Sequence, residues 1–172
     1  DYFGAATTTR VYKRFGAGAV GMIKENPYCL CDAELGIGFT KADEIAASLG
    51  VDRQSPLRLR SGLRFVLRYN AMTNGHSCLP REKLIAGAAE QLGVPVAPVE
   101  EALAASLQDG SLAAYARADE GEESPRTYIF SAEYAEQEAY VAQKLLTLDR
   151  YCTTYETGDI DLLIARAEGE QG

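Results

Sequence analysis

Leu35-Gly36-Ile37-Gly38-Phe39-Thr40-Lys41-Ala42 places two glycines between apolar residues immediately ahead of a helical pattern. The pattern covers residues 41–49, with Ala42, Ile45, Ala46 and Leu49 on one face and Gly50 as its stop. An apolar-Gly-apolar-Gly turn between two helices is the sequence form of a helix-hairpin-helix motif. Glycine admits backbone angles and close approaches that other residues resist. The turn also leaves amide N–H groups unpaired at the start of the second helix, where the helix dipole favours an anion. A phosphate oxygen suits such a place, with the backbone of Gly36, Ile37 and Gly38, the Thr40 hydroxyl and the Lys41 charge around it. A grip of this kind touches nucleic-acid backbone without reading bases.

Towards the N-terminus two further helices are expected, over residues 7–15, with Val11, Tyr12 and Phe15 at helical spacing, and 19–25, closed by Pro27. The glycine-rich run Gly16-Ala17-Gly18-Ala19-Val20-Gly21 between them follows a helix and lacks a downstream Lys-Ser/Thr. It reads as a helix corner and not as a nucleotide-binding loop. No phosphate-binding Gly-x-x-x-x-Gly-Lys-Ser/Thr occurs in the sequence.

Towards the C-terminus comes the strongest electrostatic feature. From Arg53 to Arg81 there are six arginines and no acidic residue. Ser55-Pro56 opens a helix and Asn74-Gly75 ends it, so the spacing predicts a helix over residues 56–73. Leu59, Leu63, Val66 and Leu67 form its apolar face, while Arg60, Arg64 and Arg68 recur every four residues in one stripe. With Arg58 they are candidate phosphate contacts. The alternative is a solvated face whose acids arrive from elsewhere in the fold.

The net charge of −8 hides this asymmetry. Residues 1–81 hold 11 Lys and Arg against 7 Asp and Glu, and residues 82–172 hold 6 against 18. The acidic half changes character. Helices are expected over residues 80–92 and 98–109, then strands over 112–117 and 126–130 around an acidic loop at 118–125. Helix, helix, β-hairpin is the order of a winged-helix unit, but its second helix opens with Glu100-Glu101 and carries no Lys or Arg. That composition suits protein contact better than a DNA groove. Helices over 132–148 and 160–167 and a polar tail complete the chain. The fold class is therefore mainly α: a helix-hairpin-helix region with its basic helix (1–75), a winged-helix-like unit with a small β-hairpin (76–131) and C-terminal helices (132–172).

The 172 residues, 47% hydrophobic and 24% charged, can form a core. The absence of a long apolar run and of a signal-like start leads us to expect a cytoplasmic protein with no membrane partner. Cys29, Cys31, Cys78 and Cys152 do not form a disulfide framework, and with His76 they lack the paired spacing of a zinc site, so no metal is expected. No converging nucleophile and base is visible, and no catalytic residue is expected.

Three blocks in order, Asn26-Pro27-Tyr28, Gly36-Ile37-Gly38-Phe39-Thr40-Lys41-Ala42-Asp43 and Gly75-His76-Ser77-Cys78-Leu79-Pro80-Arg81-Glu82, resemble the N-terminal region of bacterial RecD-like ATP-dependent DNA helicases. Tyr134-Ala135-Glu136 fits as well, so the resemblance spans residues 2–170. It differs in writing Thr40 before Lys41 and in following Asn-Pro-Tyr with Cys29 instead of a cation.

The resemblance implies a fragment that precedes a superfamily 1 motor. That motor would need ATP and magnesium, unwind DNA with 5′ to 3′ polarity and serve repair or recombination; the fragment itself would need no cofactor and catalyse nothing. Its expected partners are DNA, single-stranded or forked and held by its backbone, and the helicase core of the same polypeptide. The alternative is a protein-interaction scaffold that docks the motor or another partner.

Overall fold

The computed structural model describes residues 3–118, 125–151, 164 and 166. Most of the acidic loop, Cys152, most of the helix expected over 160–167 and the polar tail lie outside the described residues. The described residues up to Glu136 gather into one compact unit, and those from Gln137 onward into a second.

The chain opens with α1 (Ala5–Phe15) and α2 (Ala19–Glu25), separated by a single 3-10 turn at Gly16–Gly18. Two short 3-10 helices follow, Pro27–Cys31 and Ala33–Leu35, each opened by a side-chain cap. The Asn26 carboxamide oxygen accepts the Tyr28 N–H at 3.1 Å, and the Asp32 carboxylate accepts that of Glu34 at 3.0 Å. Then come α3 (Phe39–Ser48) and the long α4 (Pro56–Asn74). Ser55 stands at the N-cap of α4, but its side chain makes no capping bond, so Pro56 at the first position carries the start signal.

The remaining elements are β1 (Cys78–Pro80), α5 (Arg81–Leu92), α6 (Val96–Gln108), β2 (Leu112–Arg117), β3 (Arg126–Ser131) and α7 (Ala132–Tyr151). The sheet is antiparallel in the order β1-β3-β2, with Leu79 opposite Ile129 and Leu112 opposite Ser131. Leu79, Leu112 and Ile129 are buried on its inner face. Helices α5 and α6 and the β2–β3 hairpin follow in the expected order, β1 adds a third strand beside β3, and α4 packs against both helices. Because α4 packs on both α5 and α6, the core continues unbroken from the hairpin region into this unit.

Leu59, Leu63 and Leu67 bury fully along α4, each contributing about 1.5–3 kcal/mol of apolar burial. The α4–α5 approach is set by Gly62, where a Cβ would stand 2.6 Å from Leu92 Cδ1. Only a residue without a side chain lets the helices come this close. In the second unit, the exposed part of α7 carries Tyr140, Val141, Leu145, Leu146 and Leu148. α7 has no buried residue among those described.

Candidate nucleic-acid interface

The hairpin is built by inward anchors and outward backbone. Leu35, Ile37 and Phe39 are buried in the core, while Gly36 and Gly38 between them are exposed. Gly36 takes the left-handed conformation (φ 64°, ψ 25°), which turns the chain between Leu35 and α3. Gly38 is the N-cap of α3, and no side chain caps that end. The first-turn amides of α3 therefore lack an intrahelical acceptor at the positive end of its dipole. Thr40 and Lys41 are exposed in this turn. Lys41 Nζ lies 2.8 Å from Glu44 Oε2, a solvent-exposed pair of the weak kind.

A cation absent from the sequence expectations stands beside the turn. Arg10 of α1 brings Nη1 to 3.1 Å from the point a Cβ on Gly36 would occupy, while its Nη2 donates to Thr7 Oγ1 at 3.1 Å. Arg14, one turn further along α1, donates through Nε to Asp32 at 3.0 Å and lies 3.7 Å from Glu34. The Glu34 N–H and the Arg14 guanidinium hold the Asp32 carboxyl below its ordinary range. Arg10 and Arg14 share a face of α1 at i, i+4. Their placement over the hairpin is a tertiary contact with no local signature.

The four arginines of α4 divide into two pairs. Arg58 is buried, and Nε and Nη2 donate to Asp43 Oδ1 and Oδ2 at 2.8 and 2.9 Å. Its Nη1 donates to the carbonyls of Arg53 and Leu92 at 2.8 and 3.1 Å. Asp43 also accepts the Tyr28 hydroxyl at 2.6 Å. Burial pushes the Asp43 carboxyl up, but the bonds from Arg58 and Tyr28 outweigh it and leave it low. Arg60 turns to α6, pairing with Asp109 and donating through Nε to Ser106 Oγ at 3.2 Å. These two, expected to meet phosphate, instead tie α3, α4 and α6 together. The acid of Arg58 comes from α3, and that of Arg60 from the C-cap of α6.

Arg64 and Arg68 are exposed, and neither has a carboxylate within ion-pair distance among the described residues. Both line a groove of about 950 Å³ that also takes in Gly36, Ile37 and Gly38. The hairpin and the outward arginines are thus brought to one concave surface. Burial raises the Cys31 thiol in this groove to about 11, with Arg64 and Arg68 pulling the other way. That thiol is protonated at neutral pH.

Sequence reasoning missed the aromatic row beneath the groove. Tyr28 and Phe39 stack at 5.8 Å between ring centroids, Phe39 and Phe65 at 5.1 Å, and Phe65 meets Tyr69 at 6.1 Å with the rings tilted by 38°. The alternation Arg64-Phe65 and Arg68-Tyr69 was its visible signal.

Two blocks of the resemblance acquire a physical role here. Tyr28 from the first block donates directly to Asp43 from the second, and the same carboxylate accepts from Arg58, locking the hairpin to α4. Residues 2–78, which hold the hairpin, the aromatic row and all of α4, match the family described as the ATP-dependent RecD2 DNA helicase HHH domain.

Proposed function

We propose, on the premise that residues 2–78 are a helix-hairpin-helix domain of the RecD2 DNA helicase family, that this chain is an accessory region holding DNA by its backbone. The observation that carries the reading is the shared groove, in which the uncapped start of α3 and the guanidinium groups of Arg64 and Arg68, without an ion pair among the described residues, face one space. Gly36, Ile37, Gly38 and Thr40 offer backbone amides and a hydroxyl, and Lys41 and Arg10 add charge at the turn. These groups recognise phosphate oxygens in any sequence.

ATP, magnesium and strand separation in repair or recombination would belong to a helicase core in the same polypeptide, which this region would supply with positioned DNA. No helix among the described residues is long and apolar enough to cross a membrane.

Fluorescence anisotropy with labelled single-stranded and duplex DNA at two salt concentrations tests the reading. Affinity should weaken steeply with salt and vary little with sequence, because binding releases counterions. No binding at low salt, or binding indifferent to salt, would overturn it. A second reading, docking of the helicase core, is favoured by the exposed Val141, Leu145 and Leu148 on α7. Replacing those three by Ser would then weaken association with the core and leave DNA affinity unchanged.

A further inference from the structure

Arg64 and Arg68 stand four residues apart on α4, about 6 Å along the axis. Phe65 and Tyr69, each one residue later, form a second stripe beside them. A cationic stripe and an aromatic stripe therefore run together along the exposed end of α4, and all four residues line the same groove. Tyr69 is 55% exposed, so one face of its ring is open to the groove. Its ring is the open end of a row of four whose other end is fixed, since the Tyr28 hydroxyl bonds to Asp43. Such a row holds the outermost ring in place with little entropy left to lose on contact with a flat partner. Met72, 75% exposed, and Tyr134 also line the groove.

We propose that this groove is a site for unpaired nucleotides, with Tyr69 as the platform on which a base stacks while Arg64 and Arg68 hold the neighbouring phosphates. The inference rests on the backbone-binding reading above and adds to it the class of nucleic acid. Charge complementarity selects a polyanion, and an aromatic face flanked by guanidinium groups selects one with exposed planar rings. Paired bases keep their faces inside the duplex, so a duplex can use the arginines but not the tyrosine. The acids among the lining residues are Asp32, neutralised by Arg14, and Glu133.

The test compares three labelled probes on the 172-residue chain: an oligothymidylate, an abasic deoxyribose-phosphate strand of equal length, and a duplex. The oligothymidylate should bind roughly tenfold more tightly than the abasic strand, the expected effect of stacking one base. Tyr69→Ala should remove that ratio without changing abasic or duplex affinity, and Tyr69→Phe should restore it. Because Tyr69 is mostly exposed, its replacement should leave the melting temperature unchanged.

Equal binding of the base-bearing and abasic strands, or a ratio that survives Tyr69→Ala, would overturn the platform while leaving the backbone grip standing. Arg64→Ala with Arg68→Ala should weaken all three probes. If it weakens none, or if no probe binds the native chain, the backbone reading falls and the platform with it.

Discussion

The two ends of α4 carry the same residue type to opposite ends of usefulness. Arg58 and Arg60, in its first turns, are held by Asp43 and Asp109 and join helices. Arg64 and Arg68, one and two turns further on, are exposed and line a groove. For Arg60 the difference is not one of face, since Arg60, Arg64 and Arg68 lie in one stripe. It is one of depth along the axis: Arg58, Leu59, Ser61, Gly62 and Leu63 are all buried, so neighbours surround the first turns. An arginine there must find a partner or leave a charge unpaired. From Arg64 on, neighbours no longer cover this side of the helix, and the same side chain meets water.

The largest expected effect comes from breaking the inward set. Asp43→Ala strands the Arg58 charge and also frees the Tyr28 hydroxyl; urea unfolding should show a loss of about 3 kcal/mol. A loss under a few tenths would mean that the buried pair holds nothing together. Gly62→Ala should cost about 2 kcal/mol by forcing a methyl into Leu92, read as a lower melting temperature with the DNA-binding salt dependence intact.

Acid should separate the pairs without mutation. Asp43 and Asp109 have folded values below the ordinary 3.8, Asp43 because the Arg58 and Tyr28 bonds overcome burial, and Asp109 chiefly because of bonds from Ser111. For a depressed carboxyl the stabilisation is complete above its unfolded value and lost as pH falls through the folded one. The urea midpoint should therefore be flat above about pH 5 and decline below about pH 4. A midpoint flat to pH 2 would contradict the inward pairing. The smallest effect belongs to the hairpin lysine: Glu44→Ala releases Lys41 and should tighten DNA binding by roughly twofold at low salt, with stability unchanged.

Much of this was legible from residues alone. Pro56 and Gly75 bound α4, and the four-residue spacing of its leucines marks the buried side. The Gly36–Gly38 turn was legible because its two glycines sit between Leu35, Ile37 and Phe39, all of which pack inward. Helical periodicity gives angle, but it does not say which neighbours reach which turn, so the split between Arg60 and Arg64 was out of its range. The 3-10 helices at Pro27–Cys31 and Ala33–Leu35 are too short for periodicity, although Asn26 and Asp32 were capping signals. Arg10 reaches Gly36 from a helix more than twenty positions earlier, and the aromatic row joins three separate elements. Neither has a local pattern.

The central claim is that phosphate contact belongs to the outward pair and not to the inward one. The slope of log affinity for a single strand against log salt, compared between the native chain and the Arg64→Ala, Arg68→Ala double variant, measures it most directly. Two lost phosphate contacts predict a slope shallower by about 1.4. An unchanged slope in a folded double variant would contradict the account.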